Sequence, residues 1–147
     1  MKKLSPLLFL ALMTVSSVTL ASSINSMSKA EVEKTFIDKT FTSIAVSRLN
    51  SNPTDNTFVG TLDSKGNIMG KFVNKPSSAP QTDTGVYKIN NDGSMYITWK
   101  NWEGGKEMCV KFYNTKNDYL AMGCDNEFHT AFPKNAFQSG DQLNSQK

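Results

Sequence analysis

The sequence is poor in the residue types that do most of the chemistry at enzyme and metal centres. It has one histidine, His129, and two cysteines, Cys109 and Cys124. A zinc site takes three or four protein ligands, so one histidine with paired thiols excludes zinc, and no metal or other cofactor is expected. His129 stands in the run Glu127, Phe128, His129, Thr130 and reads as a strand-end histidine without convergent partners. No Ser-His-Asp arrangement is identifiable from spacing, and no catalytic residue is assigned. Carboxylates are the remaining route to hydrolysis. Asp83, Glu103, Glu107, Asp118, Asp125 and Glu127 are available for the pair that a glycosidase sets about 5 to 9.5 Å apart. They fall at expected turns and strand ends, where a solvated carboxylate is the rule. The run from Asp118 to Glu127 lacks the alternating acids and central glycine of a calcium loop.

Long apolar runs are also missing. The stretch from Leu7 to Val15 is too short for a membrane span, which needs about 20 predominantly apolar residues. It follows Met1, Lys2 and Lys3 and precedes small side chains at Thr19 and Ala21, which is the order of a signal peptide cut after Ala21. The reading is export to the periplasm or the medium, with no stable membrane insertion. Removing residues 1 to 21 from the 147 leaves 126, enough for one domain. Lys2 and Lys3 leave with the signal, so 14 basic side chains face 13 acidic ones. That balance gives no electrostatic case for nucleic acid as a partner. In an oxidising compartment Cys109 and Cys124 are expected to pair. In the chain-entropy model the closed loop is worth about 3 kcal/mol.

What the chain does have is pattern. Residues 22 to 27 are small and polar and read as a flexible lead. Ser28 and Glu31 have the spacing of a capping box, which predicts a helix from Lys29 to about Asp38 with Val32, Phe36 and Ile37 on one face. After Thr40 the periodicity becomes two, with β-branched and aromatic residues between turn signals. The expected strands are Thr42–Leu49, Thr57–Leu62, Asn67–Val73, Gly85–Ile89, Ser94–Trp99, Glu107–Tyr113, Tyr119–Cys124 and Glu127–Phe132. Turns rich in Asp, Asn and Gly follow Leu62 and Ile89, and a third covers Trp102 to Lys106. Pro76 and Pro80 make Asn74 to Asp83 a long loop rather than a central strand. Cys109 and Cys124 are symmetric about a turn between Lys116 and Asn117, so a simple hairpin sets them opposite each other. Apolar residues on both faces of that hairpin suit a closed structure. The fold class is therefore mainly β: an antiparallel meander closing into a small lipocalin-like or calycin-like β-barrel or sandwich, with one short N-terminal α-helix. The single domain covers residues 28–137, and 138–147 read as a flexible tail.

The aromatic residues give the candidate ligand-binding set, Tyr87, Trp99, Trp102 and Tyr113. Trp and Tyr join a large apolar face to a polar tip, and Trp102, beside Gly104 and Gly105, is expected at a rim. The function expected first is a secreted non-enzymatic binding protein for a small apolar or sugar ligand or a protein partner. The second is a secreted effector or inhibitor acting by loop contact through Asn74 to Asp83, and the third a carboxylate-based hydrolase.

The residues Asp83, Thr84, Gly85, Val86 and Tyr87, then Asp92 and Gly93, Trp99, Glu107, Met108 and Cys109, and lastly Asp118, Tyr119 and Cys124 form a further pattern. It resembles a family of small secreted bacterial domains of unknown function, with a D-T-G-x-aromatic strand, a D-G turn, a tryptophan strand and a cysteine strand. The resemblance implies a small β domain and brings no catalytic residues.

Overall fold

The computed structural model describes residues 24–44, 57–73 and 81–143. The signal-peptide region, 45–49 of the first expected strand and 74–80 of the proline-bearing loop lie outside these described residues, as do the last four residues. The described elements are a helix α1 (Lys29–Phe36) and nine strands: β1 (Lys39–Thr42), β2 (Thr57–Leu62), β3 (Asn67–Val73), β4 (Thr82–Ile89), β5 (Met95–Trp99), β6 (Glu107–Asn114), β7 (Asp118–Gly123), β8 (Phe128–Pro133) and β9 (Phe137–Ser139). All neighbours pair antiparallel in one sheet of order β8-β7-β6-β5-β4-β3-β2-β1-β9. The chain is thus the expected meander, curled into a nearly closed barrel.

The closure explains the ninth strand, which the sequence pattern did not announce. A 3-10 turn at Lys134–Ala136 separates β8 from β9, and the two run in succession along β1. Ile44 N–H donates to Ala131 O (2.9 Å), while Phe137, Gln138 and Ser139 pair with Phe41, Thr40 and Lys39. The expected flexible tail is corrected here for residues 138–142. An unpaired edge on β1 would leave backbone donors and acceptors open, and β9 takes them. Beyond it, Thr40 Oγ1 donates to Gly140 O (2.8 Å) and accepts from Gln142 N (2.9 Å).

The flexible lead is corrected in the same way at its end, Ser26 and Met27. Ser26 bridges to Tyr113, Met27 N–H donates to Phe112 O (2.7 Å), and the Met27 side chain is buried. Glu31 accepts from both the amide and the hydroxyl of Ser28 at 2.7 Å, and those bonds hold its carboxyl below the usual range. The helix stops at Phe36, not Asp38. Ile37 is already extended and bridges to Leu62, and Asp38 takes φ 56° with its amide donating to Leu62 O (2.7 Å). The sheet captures the chain before another helical turn can form. Consequently β1 starts at Lys39, three residues ahead of expectation.

Strand alternation sorts the side chains cleanly. Phe58, Gly60 and Leu62 on β2, Ile68, Gly70 and Phe72 on β3, Asp83, Gly85, Tyr87 and Ile89 on β4, and Met95, Ile97 and Trp99 on β5 share the inner face through their cross-strand pairing. Val110 and Phe112 continue it on β6 opposite Gly123 and Ala121, the register expected from the cysteine symmetry. Cys109 and Cys124 are bonded with Cα atoms 5.5 Å apart, on the outward side beside Tyr96. Helix α1 closes one end of the barrel with Phe36, which is fully buried against Phe41, Phe112, Tyr119, Phe132 and Phe137 at centroid distances of 4.3 to 5.9 Å. Full burial of one such ring is worth about 1.5–3 kcal/mol. No described helix is long and apolar enough to cross a membrane.

Candidate functional site

The aromatic candidates separate into three situations. Trp99 and Trp102 are both buried and lie 4.7 Å apart between ring centroids, with Phe72 at 4.8 Å from Trp102 and Phe58 at 6.2 and 6.4 Å from the two indoles. Trp102 is therefore not a rim residue. The cause is Asp83, whose inward carboxylate accepts from Asn101 N (2.8 Å), Asn101 Nδ2 (2.9 Å), Trp102 N (2.7 Å) and Thr84 N (2.9 Å). It pulls the 3-10 turn Trp102–Gly105 over the barrel mouth and drives the indole inside. Burial works to raise the Asp83 carboxyl, but the bonds from Trp102, Asn101 and Thr84 outweigh it and leave it below the ordinary value.

Tyr87 also points inward, on the face shared with Ile97. Its hydroxyl donates to Asp63 O at 2.5 Å. Burial first, then the charges of Asp63, Asp38 and Glu33, push its phenol up to about 12. The neutral form is the one the fold holds, so this contribution to stability is complete below the free value of about 10 and is lost as pH rises through about 12. A spectrophotometric titration is expected to show one tyrosinate forming near 12. Tyr87→Phe should remove that step and lower stability by about 1 kcal/mol, the net worth of one hydrogen bond. Tyr113 stands apart from the other three, on the outward face of β6 opposite Leu120. Trp99 and Trp102 thus belong to the packed aromatic core, and Tyr87 is partly buried against it.

Of the candidate acids, Asp83, Glu107 and Asp125 are engaged with neighbours. Glu107 is ion-paired with Lys88 (3.7 Å), and Asp125 Oδ1 accepts from Glu127 N (3.1 Å). Gly123, opposite Val110, leaves room for Asp125 and His129 beside it. Among the described residues no group of three or more His, Cys, Asp and Glu side chains is placed to hold a metal ion.

A concave site does exist on the outer face of β2–β5, where the sequence pattern had pointed to none. A groove of about 630 Å³ has Thr61, Met69, Thr84, Val86 and Thr98 among its lining residues, with Gly140 and Asp141 as a wall. Thr61, Met69 and Thr84 form one cross-strand row, extended by Lys100, whose amide donates to Thr84 O (2.9 Å). Val86 and Thr98 lie opposite each other in the next row. Val86 is 58 % exposed. Asp38 and Asp63 join Asp141 around the groove, giving three carboxylates against Lys100. Partial burial works to raise the Asp63 carboxyl, but bonds from Asn67 and Lys65 and the Lys65 charge hold it below the ordinary value, so it stays ionised. One signal was present in the sequence: an apolar Val86 between Thr84 and Lys88, on the face where the strand otherwise carries polar side chains. The rest depends on strands far apart in the chain and on the wall after β9.

Fold and groove together define a small antiparallel β-barrel with a helix-capped end, a packed aromatic interior and an external recess. No protein-family model matches the chain, and no curated protein and no solved structure matches it.

Proposed function

We propose that the protein is exported and works as a non-enzymatic binding protein, holding a short, extended, cationic segment of a protein partner in the outer groove of β2–β5. The observation that carries this reading is the sign of the groove: Asp38, Asp63 and Asp141 against Lys100, in a chain that keeps 14 basic against 13 acidic side chains once Lys2 and Lys3 leave with the signal. Complementary charge selects a partner and its orientation. From β2 to β5 the groove crosses about 14 Å, three strand spacings, which matches about four extended residues. Val86 and Met69 supply apolar contact, and the Thr84 and Thr98 hydroxyls supply donors and acceptors. The packed interior turns recognition to the outside of the barrel. The signal-peptide order and the bonded cysteines support export.

The test uses a capped tetrapeptide of alternating lysine and valine, with a glutamate–valine peptide as control, followed by amide chemical shifts. Binding of the lysine peptide is expected to move Thr84, Val86 and Thr98 saturably, with little response to the control. Val86→Lys, at an exposed strand position, should weaken binding about tenfold, which is about 1.4 kcal/mol, without unfolding the domain. Equal binding of both peptides, or shifts centred away from the groove, would overturn the reading.

A further inference from the structure

At the helix-capped end of the barrel a second recess, of about 370 Å³, lies between α1, the start of β1, the facing ends of β6 and β7, and the 3-10 turn after β8. Three lysines line it: Lys34 from the last turn of α1, Lys39 from β1 and Lys134 from the turn after β8. Two of the ammonium groups are positioned by backbone carbonyls. Lys39 Nζ donates to Lys34 O (2.9 Å), and Lys134 Nζ donates to Thr115 O (2.5 Å) and Lys116 O (3.3 Å) while lying 5.2 Å from the Tyr119 ring centroid. The ion pairs among the described residues involve Lys29, Lys88 and Lys111, so none of these three charges is neutralised by a carboxylate there. Glu31 is the one acid lining the recess, and its carboxylate already accepts from Ser28 N and Oγ. The recess therefore carries a net charge of about +2 on ordinary ionisation. Its apolar wall is Tyr119 against Phe137, ring centroids 5.5 Å apart, and Thr35 and Asn114 add hydrogen-bonding groups.

We propose that this recess is an anion site, distinct from the outer groove, that takes an organic phosphate monoester. The dianion would lie among Lys34, Lys39 and Lys134, and a flat organic body would lie against Tyr119 and Phe137. Ammonium groups held by carbonyls keep further N–H donors for a ligand, because each has three. Charge-assisted bonds to phosphate are the strong class of hydrogen bond. The apolar wall is what selects an ester over free phosphate.

The experiment is an amide chemical-shift titration of the folded domain with phenyl phosphate, inorganic phosphate and phenol as separate arms. Phenyl phosphate is expected to shift Thr35, Asn114 and Tyr119 saturably, and to bind about tenfold or more tighter than either other arm. Raising the salt should weaken it. Lys39→Gln and Lys34→Gln should each reduce affinity about tenfold, about 1.4 kcal/mol. Lys34 is the safer position, because its ammonium makes no hydrogen bond or ion pair among the described residues. Equal affinity for inorganic phosphate would overturn the ester assignment. An absence of saturable shifts, or shifts unmoved by both lysine variants, would overturn the site. Neither result bears on the lysine–valine peptide test, which uses different residues.

Discussion

Asp83→Asn is expected to destabilise the domain by about 3 kcal/mol, and Asp83→Leu by about 3–5 kcal/mol, in urea unfolding of the wild type and the two variants. Hydrogen bonds to a charged group are worth about 1.5–3 kcal/mol each, and a buried donor left without a partner costs about 1–3 kcal/mol. Asp83 is 3 % exposed and its two oxygens share four donors, two on each oxygen. Asparagine keeps one carbonyl oxygen but turns an NH₂ towards the other two donors, so the loss is more than one bond. Leucine orphans all four. The consequence should be visible beyond stability. Without the carboxylate the Trp102–Gly105 turn loses the hydrogen bonds that anchor it over the barrel mouth, so Trp102 fluorescence should move towards that of a solvated indole.

The same residue predicts a pH dependence with a definite sign. Its folded carboxyl lies below the free value, so the stabilisation is complete above about pH 3.9 and is lost as pH falls through the folded value. The difference between wild type and Asp83→Asn should therefore shrink on acidification below about pH 4 and stay constant above it. Glu31, Asp63 and Asp92 are also held below their ordinary values, so the variant retains some acid sensitivity of its own. A gap that widened towards acid would contradict the assignment of Asp83 as a bound anion.

The strand meander was legible because its signals are local. Period-two patterning located β2 and β3 to the residue, and Asp63 and Gly66 marked the β2–β3 turn, as Asp92 and Gly93 did the β4–β5 turn, with groups that accept positive φ or bind the local backbone. The cysteine symmetry about Lys116 and Asn117 carried the β6–β7 register. What escaped was set by distant partners. Phe137–Ser139 is three residues long and becomes a strand only because β1 offers an edge. Asp83 looked like the end of a loop, yet Thr82–Thr84 pair with Met69–Lys71 and aim its carboxylate at a turn 18 residues on. The burial of Trp102 follows from that carboxylate. Both recesses are missed for a related reason: Lys34, Lys39 and Lys134 meet only after the barrel closes, as do Asp38, Val86 and Asp141.

Gly70→Val should be the most damaging single substitution in the aromatic half of the core. Gly70 and Gly60 are direct cross-strand partners on β3 and β2, both facing inward. A Cβ on Gly70 would lie 2.6 Å from Phe58 Cε2, 2.8 Å from Trp99 Cη2 and 2.9 Å from Trp102 Cζ3. Three rings from three strands or turns thus use the volume that the missing side chain of Gly70 leaves, and Phe58 with Phe41 uses that of Gly60. They cannot all retreat, because Phe58 touches Phe72 and Phe41, and Trp99 touches Trp102. Overpacking a dense core by a few atoms costs about 1–3 kcal/mol and occasionally more, so Gly70→Ala should lie within that range and the β-branched valine at or above about 3 kcal/mol. Gly104→Ala is the informative contrast. Nothing lies within 4 Å of its would-be Cβ, but its φ is +64°, so only backbone strain of about 1 kcal/mol is expected. If ring crowding is the cause at Gly70, shortening one ring should relieve it: Phe58→Leu combined with Gly70→Ala should cost less than the two single changes added together. Simple additivity of the pair would show that the rings do not compete for the space above Gly70, because residues in contact are the ones expected to couple, by about 0.5–3 kcal/mol.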